Sequence, residues 1–193
     1  MPVYLGLDVS TSCTGWCVFT NEDTFAEMSK IDLAKKKGVY QKADVVRNEL
    51  SNLLIKYPIT HVYIEENLQA FRPGLSSAKT LSTLARFNGI VSLLCYETFN
   101  LEPEHLNVNA ARKALGIKLV RKKHGGAPTK EQVWDWVVAD LSNPEYQWPS
   151  KILKSGPRKG VTILDPGCYD MADTYVIAKA GIIAQSEHSK NLS

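Results

Sequence analysis

The order of segments along the chain predicts an α/β fold, a mixed five-stranded sheet flanked by helices. Three strand-like runs follow one another in the first 33 residues, two further short strands are each reached through a helix, and an apolar helix closes the chain. Strands joined by tight turns pair antiparallel, and strands separated by a helix pair parallel, so this order mixes both kinds of ladder.

Residues 3–9 read as the first strand. Residues 15–20 form a second after a tight polar turn, and residues 24–33 a weaker third interrupted by charge. A helix follows over 39–57, with Val46, Leu50, Leu53 and Leu54 at the spacing of one buried face, and Pro58 ends it. "HVYIEE" at 61–66 is the fourth strand. The "RPG" turn leads into a long helix over 76–97, whose second half carries Ile90, Val91, Leu93, Leu94 and Cys95. A helix so apolar on most sides needs a second surface beyond its own sheet, and a partner subunit is one candidate. "HLNVN" at 105–109 is the fifth strand. A short helix over 110–115 stops at Gly116, and a basic, glycine-containing stretch runs over 118–129. Thr129 is the expected cap of a helix that reaches Leu141. Residues 142–167 show no periodicity and contain four prolines and three glycines, and a loop so long is usually functional or disordered. The final helix spans 168–184. Residues 1–185 are thus expected to be a single domain, and 186–193 a flexible polar tail.

The 193 residues, 44% of them hydrophobic, suit one core. The net charge is only +3, yet residues 112–160 hold 11 Lys or Arg against four acids, a local +7 that leaves the rest of the chain near −4. Such asymmetry is the footprint of a polyanion-binding face or simply a solvated surface. The four cysteines form no CxxC pair and no zinc-like spacing with histidines, which points to reduced thiols. No apolar run is long enough to span a membrane, and strand-like sequence begins at Val3, so the expectation is no membrane partner, no signal or transit peptide, and a cytoplasmic location.

Acids stand at the ends of apolar elements. Asp8 ends the first strand in "GLDVSTSCTGW", where it is either a turn starter or a ligand. Glu65 and Glu66 end the fourth strand and point to opposite faces, so only one of them can join Asp8. In "CYDMADTYVIAKAGIIA", Asp170 and Asp173 head the face that Val176, Ile177 and Ala180 would bury. Carboxylates gathered together stay ionised only if cations compensate them, and an all-oxygen donor set favours Mg²⁺, with Mn²⁺ as a substitute. Two such ions would activate a water and stabilise the leaving oxygen of a phosphodiester.

These motifs resemble those of the RuvC family of Holliday junction resolvases, which have the ribonuclease H-like fold, in its phage or bacterial form. "LGLDVSTSCTGW" resembles the family's first-strand motif, "VYIEEN" its Glu-ending strand, and "YDMADTYVIAKA" its closing acidic helix. The resemblance implies that Asp8, Glu65 rather than Glu66, Asp170 and Asp173 are catalytic metal ligands, holding two ions per active site. "SAKTLSTLARFNGIVSLL" resembles the family's dimer-forming helix, and "KEQV" a lysine-led helix start that would set Lys130 on a DNA phosphate. The resemblance further implies a homodimer that nicks opposed strands of a four-way DNA junction in the cytoplasm of a bacterial cell or phage-infected host; it names no helicase partner. Lys118, Arg121, Lys122, Lys123, Lys130, Lys151, Lys154, Arg158 and Lys159 are the expected DNA contacts. Where family members carry an aromatic junction wedge, this chain has Leu68, with Phe71 following.

Two other classes compete. Another ribonuclease H-like nuclease could act on branched DNA or RNA–DNA hybrids with the same acids. The "GLDVSTSCTG" turn also looks like the phosphate-binding turn of sugar kinases and actin-like ATPases, but such proteins use two such domains and further Gly-rich loops, which this chain lacks.

Overall fold

The computed structural model describes residues 1–22, 24–66 and 78–191. Its main sheet has the order β3-β2-β1-β4-β5, formed by β1 (Tyr4–Asp8), β2 (Cys13–Phe19), β3 (Phe25–Asp32), β4 (His61–Glu65) and β5 (Glu104–Leu106). β1, β2 and β3 form an antiparallel meander, while β4 lies parallel to β1 and β5 parallel to β4. The mixed five-stranded α/β sheet therefore stands as the segment order predicts. The helices are α1 (Val39–Lys56), α2 (Ala78–Phe99), α3 (Val108–Ala114), α4 (Thr129–Leu141) and α5 (Gly167–Asn191).

Alternation along the strands divides the core into two layers. Leu5, Leu7, Trp16, Val18, Val62 and Ile64 join Val46 and Leu50 of α1 and Phe87, Val91 and Leu94 of α2 on one face. Tyr4, Cys17, Phe19 and Tyr63 join Val133 and Val137 of α4 and Met171, Tyr175, Val176 and Ile177 of α5 on the other. α5 lies unusually close to the sheet. A Cβ on Gly6 would stand 2.6 Å from the Thr174 carbonyl oxygen, and one on Gly15 would stand 2.7 Å from that of Asp170. Glycine at these two places lets the helix backbone approach the strands directly.

Several boundaries differ from the sequence prediction. α3 starts at Val108, not 110, because the Asn107 side chain caps it by accepting from the Asn109 and Ala110 amides at 3.1 and 3.3 Å. This shortens the fifth strand to Glu104–Leu106. α2 is described from Ala78 to Phe99, and α5 continues through 186–191, which the sequence assigns to the tail. The largest correction concerns 142–167. Instead of an aperiodic loop, the chain there forms a separate two-stranded antiparallel sheet, β6 (Ser150–Ile152) with β7 (Thr162–Leu164). Among the described residues, no helix is long and apolar enough to cross a membrane.

Candidate active site

β1 and β4 are neighbouring parallel strands with Leu7 opposite Ile64, so Asp8 and Glu65 stand side by side one step further on, at the carboxyl ends of both strands. Leu7 and Ile64 belong to the α1–α2 layer, while Gly6 and Tyr63 face α5. Alternation therefore turns Asp8 and Glu65 toward α5 and carries Glu66 to the opposite face. Asp170, in the first turn of α5, and Asp173, one turn on, meet them there. The positive end of the helix dipole favours negative charge at this point.

All four carboxyls titrate high, mainly because they are withdrawn from water. Burial pushes Asp8 well above the usual carboxylate range, and the charges of Glu65, Asp173 and Asp170 add to it, with Arg112 opposing. Glu65 is pushed up to about 7, first by burial and then by Asp173, again against Arg112. Burial likewise raises Asp170, with the Cys13 thiol beside it acting the other way, and raises Asp173 against the opposing charge of Arg112. The Arg112 Nη2 donates to Asp173 Oδ1 at 2.8 Å with both side chains mostly buried. Its buried Nε has no hydrogen-bond partner among the described residues.

The structure thus brings Asp8, Glu65, Asp170 and Asp173 close enough for their charges to act on one another. Among the described residues, no three His, Cys, Asp or Glu are drawn tightly enough to grip an ion as they stand. The donor chemistry nonetheless fits hard divalent cations: the groups are carboxylate oxygens, and the cations acting on them, Arg112 at Asp173 and Lys30 and Lys130 at Asp170, are fewer than the four acids.

Lys130 sits in the first turn of α4, its Nζ 4.5 Å from the Tyr169 ring centre, and its charge acts on Asp170. Lys118, Arg121, Lys122 and Lys123 are exposed on the segment before α4. That segment is pinned by Gln132, which accepts from the Val120 amide at 2.8 Å and donates to the carbonyls of Val120 and Ala127 at 2.9 and 2.6 Å. Lys151 lies in β6, and Lys154, Arg158 and Lys159 in the turn beyond it, all exposed. Leu68 and Phe71 lie outside the described residues. Sequence reasoning gives no site role to Arg112, Lys30 or Gln132. Arg112 lies in the basic segment, but nothing in its spacing ties it to Asp173.

Solved structures share this architecture. A structure of T. thermophilus RuvC in complex with Holliday junction substrate matches with a TM-score of 0.64 at 15% identity, covering 96% of each chain. A second structure of Thermus thermophilus RuvC gives 0.61 at 17% identity, with the same coverage. The yeast mitochondrial Holliday junction resolvase Ydc2 gives 0.58 at 19% identity, over 98% of this chain and 82% of that one. The chain shares the fold of these solved structures. No protein-family model and no curated protein sequence matches it.

Proposed function

We propose that this protein is a metal-dependent endonuclease that resolves four-way DNA junctions. The observation that carries the reading is the convergence of four half-buried carboxylates from β1, β4 and α5 on one face of a sheet with the RuvC fold. Asp8, Glu65, Asp170 and Asp173 would hold two Mg²⁺ ions, with Mn²⁺ able to replace them. When bound, the ions would activate the attacking water and stabilise the leaving oxygen. Asp8 and Glu65 are fixed by the sheet on neighbouring strands, whose backbones lie about 4.8 Å apart. Asp170 and Asp173 are held down by the close contact of α5 at Gly6 and Gly15. Arg112 orients Asp173, and Lys130 offers a cation to the scissile phosphate beside Asp170. Lys118, Arg121, Lys122 and Lys123, on the segment that Gln132 holds, supply phosphate contacts.

Two opposed nicks require two sites, and α2 exposes Leu93 (55%) and Tyr96 (52%), an apolar surface for a symmetric dimer. The function is tested by incubating the protein with Mg²⁺ and labelled four-way junction, fork, RNA–DNA hybrid and linear duplex. Paired nicks in the junction, absent with EDTA, are expected. Preferential cutting of the hybrid, or of no substrate, would overturn the reading.

A further inference from the structure

We propose that residues 150–164 form a rigid arm that grips a duplex DNA branch of the junction, a contact surface separate from the carboxylate site and from the basic segment before α4. The inference rests on the proposed junction nuclease and adds where the flanking duplex is held.

The arm stands apart because β6 and β7 pair only with each other, outside the main sheet. Its foot is nevertheless fixed on both sides. On the entering side, Tyr146 packs edge-on against Phe25 and donates to the Met28 carbonyl at 3.2 Å, and Trp148 packs against Tyr146 and Trp134. On the leaving side, the Asp165 amide donates to the Pro149 carbonyl at 2.9 Å, which closes the ribbon. The Asp165 carboxylate accepts from the Gly167 amide at 2.8 Å and is ion-paired with Lys30 of β3. Asp165 is therefore locked to the start of α5, five residues before Asp170, so the arm is anchored at the edge of the active site.

Its tip is ordered as well. The Gly160 amide donates to the Leu153 carbonyl at 2.8 Å and the Lys159 amide to the Gly156 carbonyl at 3.1 Å, with Gly156 and Gly160 in the left-handed region at φ 79° and 87°.

Charge names the partner. Residues 146–164 contain Lys151, Lys154, Arg158 and Lys159 and no acid. All four are exposed, and none forms an ion pair among the described residues. Ordinary solvated surface interleaves both signs, whereas a narrow two-stranded ribbon carrying only cations complements a phosphate backbone, and the major groove is wide enough to admit such a ribbon.

The test measures binding of labelled four-way junction and of linear duplex, in EDTA, over a range of salt concentrations. The proteins are wild type, the triple variant Lys154→Ala/Arg158→Ala/Lys159→Ala, and the charge-keeping Lys154→Arg/Arg158→Lys/Lys159→Arg. Each phosphate contact contributes about 0.9 to the slope of log affinity against log salt, so the alanine variant should flatten the slope by about 2.7 on both DNAs, while the charge-keeping variant keeps it. An alanine variant that binds with the wild-type slope overturns the arm and leaves the nuclease intact. A slope that falls as expected in a protein that cuts no branched DNA supports the arm and overturns the nuclease. Wild-type protein that binds neither DNA overturns both.

Discussion

The two faces of the central sheet are made by the same strands, but only one of them gathers carboxylates. On the α1–α2 face, Leu5, Leu7, Val62 and Ile64 are sealed in hydrocarbon. On the α5 face the same two strands present Gly6 and Asp8, Tyr63 and Glu65, and the covering helix brings two more carboxylates to them. Both faces gain stability by excluding water from apolar groups. The α5 face also withdraws carboxylates from water, which raises their pKa values and costs stability until cations arrive. Residues one position apart should therefore report on different properties.

The largest effect expected is on cleavage. Asp8→Asn should slow single-turnover junction cleavage about a thousandfold or more, since a site built for ion-assisted hydrolysis loses several kcal/mol of transition-state stabilisation. Its melting temperature should hold or rise, because one of four like charges is gone. Leu5→Ala, on the other face of the same strand, should cost about 2–5 kcal/mol of stability in a denaturant titration. Loss of stability in Asp8→Asn with cleavage retained would break the contrast.

The pH dependence of stability is expected to be next in size. Glu65 binds its proton more tightly folded than unfolded, so its contribution is complete below the ordinary value near 4.5 and is lost as pH rises to about 7. Asp8, Asp170 and Asp173 are shifted in the same direction. Without divalent ions, folding stability should fall across this window, by at most about 1.4 kcal/mol per pH unit for each proton, and the melting temperature with it. Glu65→Gln or added Mg²⁺ should flatten the profile. A flat wild-type profile in EDTA would show that the carboxylates are not coupled to folding.

A smaller effect tests how α5 is seated. Gly15→Ala places a methyl 2.7 Å from the Asp170 carbonyl oxygen and 2.9 Å from Thr174 Cγ2, so the helix must move off the sheet. A cost of about 1–3 kcal/mol is expected, together with slower cleavage as Asp170 moves. Unchanged melting and cleavage would mean that the close approach does not position the site.

The four acids are legible in the sequence because each sits where periodicity speaks: Asp8 and Glu65 at the ends of apolar strands, Asp170 and Asp173 at the head of a helix's buried face. Arg112, which bonds Asp173, and Lys30, whose charge acts on Asp170, are not legible, since each reaches the site from an element whose own pattern carries no sign of its tertiary neighbours. The β6–β7 ribbon escapes for another reason. Its strands are three residues long, and Ser150, Lys151, Ile152 and Thr162 are all exposed, so no face is buried and no alternation is written into the sequence. The start of α3 is missed because "NVN" reads as strand until the Asn107 side chain is seen capping the helix.

The most direct measurement compares Glu65→Gln with Glu66→Gln in single-turnover cleavage of a labelled four-way junction with Mg²⁺. The two residues are chemically identical and adjacent, and differ in the face to which the strand turns them. The account predicts that Glu65→Gln loses cleavage while still binding the junction, and that Glu66→Gln cuts at close to the wild-type rate. Full activity in Glu65→Gln, or loss confined to Glu66→Gln, would contradict it.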